Sequence, residues 1–216
     1  MDKLAARQQM VDQQVRTWEV LDPRVLEALS VVPREAFVPP AYRELAFADA
    51  PIPIGFGQTM LAPKLQGRIL QALGPNETDR ALEVGSGTGY LSAALSLLAA
   101  STHAVDIHAG LIDIARTNVR AIPAANVRFE TRDAFAPGAL GEYDVIAMTG
   151  SMPVYDARFE RALAVGGRLF AIVGDAPAME AILVRRVDEG EWIRESLFET
   201  VVDPLIHAAA TPKFVF

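Results

Sequence analysis

Ala81-Leu82-Glu83-Val84-Gly85-Ser86-Gly87-Thr88-Gly89-Tyr90 is the stretch on which the fold turns. A short strand over 80–84 runs straight into glycines, and apolar spacing predicts a helix over 90–99, so the glycines fill a strand-to-helix turn. Open α/β sheets bind ligands at such turns, outside the carboxyl ends of their strands. Glycine is needed there because a side chain would hold the backbone away from a ligand. A dinucleotide loop has the spacing G-x-G-x-x-G or A, and here its third glycine would fall on Tyr90. The pattern is instead E-x-G-x-G-x-G, from Glu83 to Gly89, which disfavours a nicotinamide dehydrogenase.

Downstream, strands are expected over 102–106, 127–131, 143–148 and 168–173, separated by helices over 110–120 and 155–164. Such alternation implies a mostly parallel sheet covered by helices on both faces. Two further strands, 179–187 and 192–200, close around Asp188-Glu189-Gly190-Glu191 as an antiparallel hairpin. Upstream lie a polar-rich helix through about Val20 and a second opened by Asp22-Pro23, with Val25, Leu26 and Leu29 on one face. Prolines at 33, 39, 40, 51 and 53 then break any regular element, and Gly55 and Gly57 extend a long loop of the kind that is functional or disordered. Pro63 opens a helix carrying Leu65, Ile69, Leu70 and Leu73 and stopping at Gly74.

The 216 residues are 51% hydrophobic and 22% charged, enough for one large core. A net charge of -7 and a pI near 5.0 disfavour nucleic acid as the main partner. Cysteine is absent, which excludes disulfides, a thiolate nucleophile and a Cys-based zinc site. The N-terminus lacks a signal-peptide apolar stretch and no later run approaches the roughly 18 residues of a membrane span, so a cytoplasmic protein without membrane contact is expected. His103, His108 and His207 show no metal spacing; they are assigned solvated or structural roles, and no metal is assigned. Trp18 and Trp192 are expected as packing anchors, with Trp18 also placed to cover a ligand or face a partner.

The glycine spacing suits S-adenosylmethionine, which has no pyrophosphate and needs backbone room for a methionine moiety and a carboxylate for its ribose. Glu83, Gly85, Ser86, Gly87 and Gly89 are the candidate loop contacts. Asp106, twenty-one residues beyond Gly85 and followed by Ile107, ends the second strand where it can accept from both ribose hydroxyls, or else cap the helix near Ala109. Asp133 follows the third strand and either accepts from the adenine amino group, beside Ala134 and Phe135, or is a plain turn residue. Asp144, at the other end of the fourth strand, is read as structural. Thr149 and Gly150 end that strand on the ligand side and are candidates to line the methyl-transfer centre.

Several segments outside the glycine loop carry a family likeness. Met10-Val11 with Gln13-Gln14-Val15-Arg16, Val25-Leu26-Glu27-Ala28, Val32-Pro33-Arg34-Glu35-Ala36-Phe37-Val38-Pro39, and Asp49-Ala50-Pro51-Ile52-Pro53-Ile54-Gly55 with Gly57-Gln58-Thr59 resemble the protein-L-isoaspartate O-methyltransferase family, from about Met10 to about Phe198. The resemblance implies a Rossmann-like class I methyltransferase in one structural unit: an N-terminal helical extension with the substrate loop (1–75) and an S-adenosylmethionine-binding domain (76–216). It implies methyl transfer from S-adenosylmethionine to the free α-carboxylate of isoaspartyl residues in damaged proteins or peptides, the ester then collapsing to a succinimide. Such a carboxylate, with a pKa of about 4, is already ionised at neutral pH and needs no general base. Thr59 and Thr149 are the candidate catalytic hydroxyls, Thr59 having a loop or cap role as its alternative.

Two positions depart from the family pattern. Leu61 stands where the family has a serine whose hydroxyl holds the substrate carboxylate, and Thr149-Gly150-Ser151 stands where threonine and two alanines are usual. The tail from Asp203 to Phe216 also matches weakly. Three functions are therefore carried forward: isoaspartyl O-methyltransfer, methyl transfer to another carboxylate or small molecule, and a cofactor-binding interaction module without catalysis.

Overall fold

The computed structural model describes residues 2–122, 125–138 and 140–210; the last six residues of the weakly matching tail lie outside them. Seven strands, β3 (Arg80–Val84), β4 (Ser101–Asp106), β5 (Val127–Thr131), β6 (Tyr143–Met152), β7 (Leu163–Asp175), β8 (Ala178–Asp188) and β9 (Glu191–Thr200), form one sheet in the order β5-β4-β3-β6-β7-β8-β9. The first five run parallel and the last two antiparallel, as the alternation and the terminal hairpin predict.

The period-2 pattern of the strands sorts residues between two buried layers. Ala81, Val145, Ala147, Phe170 and Ile172 face α4 (Pro63–Leu73), α5 (Tyr90–Ser96) and the N-terminal helices α1 (Lys3–Met10), α2 (Pro23–Val31) and α3 (Arg34–Phe37). Leu82, Val84, Val105, Ile146, Met148 and Leu169 form the other layer with Phe159 of α7 (Arg158–Arg161). The helix α6 (Ala109–Val119) packs on β4 and β5 beside α5. Leu65, Ile69, Leu70 and Leu73 of α4 are buried against this core, each worth roughly 1.5–3 kcal/mol. The helix α4 stops at Gly74 (φ +49°), where Arg168 donates to the Leu73 and Gly74 carbonyls and pairs with Asp79 at 2.8 Å. Among the described residues no helix is long and apolar enough to cross a membrane.

Four sequence expectations are corrected. The first helix does not continue to Val20: after α1 the chain widens into a π-type turn at Val11–Val15 and tightens into a 3-10 turn at Arg16–Trp18, ending on Glu19 at φ +61°. The widened turn drives both Val11 and Val15 into the core, and Val15 packs so closely on Gly67 that a Cβ there would stand 2.6 Å from its Cγ1. The proline-rich stretch is not irregular throughout. It holds α3, a 3-10 turn at Pro40–Leu45 and a two-stranded hairpin, β1 (Ile52–Gly55) with β2 (Gln58–Met60). Pro53 is tolerated in that hairpin because a two-stranded ribbon has only edges and the register shifts beside it.

The helix expected over 155–164 shrinks to α7, because β7 begins already at Leu163 and a bulge at the Gly166-Gly167 pair takes up the change of register against β6. Thr149 and Gly150 do not end the fourth strand, which continues to Met152; they sit in a second bulge between Ala147 and Ser151. Bulges are a common means of aiming side chains next to functional sites.

Candidate active site

The two neighbours of β3, β4 and β6, lie on opposite sides of it, so the chain reverses direction across the sheet there and leaves a crevice at the carboxyl ends of these strands. The glycine loop forms its floor. The Gly85 and Ser86 N–H groups donate to the Val105 carbonyl at 2.9 and 3.1 Å, and that of Gly89 to the Ser86 carbonyl at 2.9 Å. Gly85 lies at φ +87°, and a Cβ on it would stand 2.5 Å from Thr149 Oγ1, so neither backbone nor space admits another residue. Gly89 (φ +89°) faces away from the crevice, where its missing Cβ lets α5 start against Ala115 of α6.

Glu83 is fully buried beneath α5. One carboxyl oxygen accepts from Ser92 Oγ, and the other, Oε1, is buried without a partner. Burial raises its pKa to about 8; the Ser92 hydroxyl opposes the shift and the nearby Asp106 charge adds to it. Ser86 Oγ is likewise buried and unpartnered, and both residues line one cavity with Gly85, Gly87, Thr88 and Thr149. A glycine cradle with an unsatisfied carboxyl and hydroxyl fits the amino-acid end of S-adenosylmethionine, whose ammonium would satisfy Glu83 and favour its ionised form.

Asp106, 7% exposed, ties the floor together: Oδ2 accepts from Gly87 N and Oδ1 from His108 N, both at 2.9 Å. Burial raises its pKa, although those two N–H groups pull it back. Each carboxylate oxygen keeps a lone-pair direction beyond these bonds, so the ribose role and the turn-capping role coexist in one side chain. A second cavity joins Gly85 and Asp106 to Ile107, Asp133, Ala134 and Phe135, covered by Leu205 and Ile206. Asp133 accepts from Phe135 N at 2.9 Å and pairs with His207 Nδ1 at 2.8 Å. Burial raises its pKa, but the His207 ring and the Phe135 N–H outweigh this and leave it below the ordinary value. His207 is exposed and pairs with Asp133 beside this cavity, in line with the solvated or structural role read from the sequence. His103 is structural, between Tyr143 Oη and Glu130, and His108 stacks on Phe56 at 5.0 Å.

Phe56 is the tip of the β1–β2 hairpin, which folds over the glycine loop so that Ile54 Cδ1 would lie 2.9 Å from a Cβ on Gly87. The hairpin and the start of α4 form the other half of the site. Thr59 and Leu61 border both the glycine-loop cavity and a wider groove of about 700 Å³ that also takes in Trp18, Lys64, Met179 and Asp203. Thr59 Oγ1 donates to Asp203 Oδ2 at 2.8 Å. Thr149 Oγ1 reaches the Val84 carbonyl at 2.9 Å and that of Gly85, so its hydroxyl braces the loop while its side chain lines the cavity. Lys64 pairs with Asp49 at 2.7 Å and lies 4.4 Å above the Trp18 ring, while Trp18 meets Phe198 edge to face. The N-terminus of α4 carries no side-chain cap at Ala62, and its positive end opens on this groove.

The sequence-predicted residues thus converge on one crevice, Gly89 excepted. Sequence reasoning missed Asp203 and Leu205 as parts of it, and Arg34 as its support. Arg34 is fully buried, donating to the Leu61 and Ala46 carbonyls at 2.8 Å and to Gln66, and so fixes the acceptor loop from behind. Burial lowers its pKa to about 10, which leaves it cationic, and the Tyr90 ring 4.9 Å away helps to hold the charge. Its place in Val32-Pro33-Arg34-Glu35 was the available signal; the tail residues offered none beyond the turn-prone Asp203-Pro204.

Known proteins match along nearly the whole chain. The family model for protein-L-isoaspartate(D-aspartate) O-methyltransferase matches residues 5–209. A protein-L-isoaspartate O-methyltransferase from Koribacter versatilis is 36% identical over 93% of this chain and 90% of its own, and one from Methanoregula boonei is 36% identical over 90% and 89%. A Plasmodium falciparum beta-aspartate methyltransferase solved in complex with S-adenosyl-L-homocysteine shares the fold with a TM-score of 0.80 at 18% identity, covering 92% of this chain and 97% of that one. With the family match spanning the hairpin, the glycine loop and the chain as far as Ala209, the chain belongs to the protein-L-isoaspartate O-methyltransferase family.

Proposed function

We propose that the protein methylates the free α-carboxylate of isoaspartyl residues in damaged proteins and peptides, with S-adenosylmethionine as donor, and that the predicted site residues divide the work between the two halves of the crevice. The observation that carries this reading is that Thr59 and Leu61 line both the glycine-loop cavity and the neighbouring groove of about 700 Å³. Bound S-adenosylmethionine supplies a methyl group made electrophilic by the sulfonium. Glu83, Gly85, Ser86 and Gly87 hold its amino-acid end, Asp106 and Ile107 its ribose, and Asp133 and Ala134 its adenine, while Gly89 sets the start of α5.

On the acceptor side, with Lys64 paired to Asp49, the α4 N-terminus supplies positive potential for a carboxylate where Leu61 offers no hydroxyl. Leu61, 8% exposed, keeps water from the reacting oxygen. Thr59 borders the acceptor, and Thr149 holds the loop that fixes the donor. No residue has to remove a proton, so alignment of nucleophile and methyl supplies most of the acceleration.

The test is transfer of labelled methyl to an isoaspartyl peptide, with its normal aspartyl twin as control. Labelling of the isoaspartyl peptide alone is expected. Cofactor binding with neither peptide labelled would overturn the reading.

A further inference from the structure

The tip of the β1–β2 hairpin places a bulky side chain where the backbone favours glycine. Gly55, Phe56 and Gly57 all lie at positive φ, +92°, +55° and +72°, and residues with a Cβ rarely populate that region. A third glycine would make the same turn without strain, so the phenylalanine is kept for what its ring does. The ring stacks on His108 at 5.0 Å, with 28° between the planes. Its Cζ lies 2.4 Å from where a Cβ on Gly110 would stand, so it fills the place of that missing side chain in the first turn of α6. Gly110 is not in the left-handed region, so the ring and not the backbone demands glycine there.

His108 directly follows Asp106 and Ile107, and all three line the cavity that reaches from Gly85 to Asp133. Behind the tip, Ile54 packs on Gly87, and Ile54 and Gln58 line one cavity with Gly85, Gly87 and Asp106. A cofactor seated on Gly85, Gly87 and Asp106 therefore lies beneath the hairpin. The Phe56 carbonyl accepts from Gln58 of its own hairpin at 3.4 Å, and among the described residues no hydrogen bond joins the tip to α6. Phe56 is also 55% exposed, so the attachment is apolar, partial and reversible. We propose that Phe56 is a positioning residue for the methyl donor: its ring, docked on His108 in the space left open by Gly110, fastens the hairpin over the bound cofactor, and its release sets how fast the cofactor leaves. The inference rests on the proposed seating of the cofactor and not on the identity of the methyl acceptor.

The experiment follows the dissociation of labelled S-adenosylmethionine from the full-length protein after a chase with excess S-adenosylhomocysteine, without a methyl acceptor. Gly110→Ala should speed dissociation about fivefold, the worth of one aromatic contact. Its Tm should not fall, because alanine is the better helix former and only the far end of a flexible ring has to give way. Phe56→Ala should speed dissociation by the same factor, and Phe56→Leu by less. The double variant should release no faster than Phe56→Ala alone, since a methyl group on residue 110 then has nothing to displace. Release at the wild-type rate in Gly110→Ala or Phe56→Ala, or effects that multiply in the double variant, would overturn the assignment. If Gly85→Val abolishes binding at the same time, the seating stands without the fastening. Undiminished binding in Gly85→Val, or failure of the wild type to bind, would overturn both.

Discussion

The two halves of the crevice are built in opposite ways. The cofactor half is local: Glu83, Gly85, Ser86 and Gly87 are nearly consecutive, Asp106 ends β4 and Asp133 follows β5, each tied to backbone N–H groups. The acceptor half is assembled from afar, with Thr59 and Leu61 after the hairpin, Trp18 from the N-terminal helices, Arg34 behind, and Asp203 from the tail. A loop that must form one backbone shape leaves its mark in adjacent residues. A pocket wall formed by chain returning over 144 positions leaves none; of the family departures, Leu61 and Asp203 fall in this second half, while Thr149-Gly150-Ser151 lies against the glycine loop.

If the halves are separable, substitutions should act on one ligand and spare the other. The largest effect is expected from Gly85→Val, which places a branched side chain at φ +87° into Thr149 Oγ1. Backbone strain of about 1–3 kcal/mol together with that clash predicts a loss of S-adenosylmethionine affinity of about a hundredfold, read by calorimetry. Weakened acceptor binding alone, with the cofactor unaffected, would break the comparison.

Glu83→Gln comes next, with cofactor affinity falling about tenfold at pH 8 and less at pH 6, since the wild-type carboxyl is already largely protonated at the lower pH in the free protein. Its effect on stability has a definite sign. Below the ordinary pKa of 4.5 the folded and unfolded chains both hold the proton. Between there and about 8 the folded protein keeps a proton that the unfolded chain has lost, so this group makes stability fall as pH rises through that window. Glu83→Gln should flatten that part of the profile in thermal unfolding of the ligand-free protein; an unchanged slope would show that Glu83 is ionised in the folded state.

Much of this was legible in the sequence, for physical reasons. The strands 80–84 and 127–131 were read to the residue because turn residues bound both of them. The parallel arrangement followed from alternation, and the closing hairpin from its end, where two strands meet around Asp188-Glu189-Gly190-Glu191. What misled were backbone irregularities: the widened turn at Val11–Val15 and the bulges at Gly166-Gly167 and Thr149-Gly150 are set by tertiary packing, which leaves no periodicity to read. The hairpin was hidden because prolines usually signal its absence. Asp203 and His207 were hidden because only the folded chain brings them to Thr59 and Asp133.

A smaller effect is expected from Leu61→Ser, which adds a hydroxyl to the acceptor half. It should lower KM for an isoaspartyl peptide about threefold, one weak hydrogen bond's worth, while leaving cofactor affinity unchanged. The loss of a buried leucine should also lower Tm. A change in cofactor affinity equal to the change in KM would mean that the two halves are coupled. Smaller still, His207→Ala should weaken the cofactor about twofold, because the His207–Asp133 pair is exposed and Asp133 keeps its Phe135 N–H bond.

The most direct measurement is a crystal structure of the protein with S-adenosylhomocysteine and an isoaspartyl peptide together. The account predicts the homocysteine carboxyl-and-amino end on Gly85–Gly87 with its ammonium toward Glu83, the ribose on Asp106, and the peptide's α-carboxylate between Leu61 and the start of α4, facing the sulfur. A peptide carboxylate lodged outside the Thr59–Leu61 cavity, or a cofactor seated away from Asp106, would contradict it.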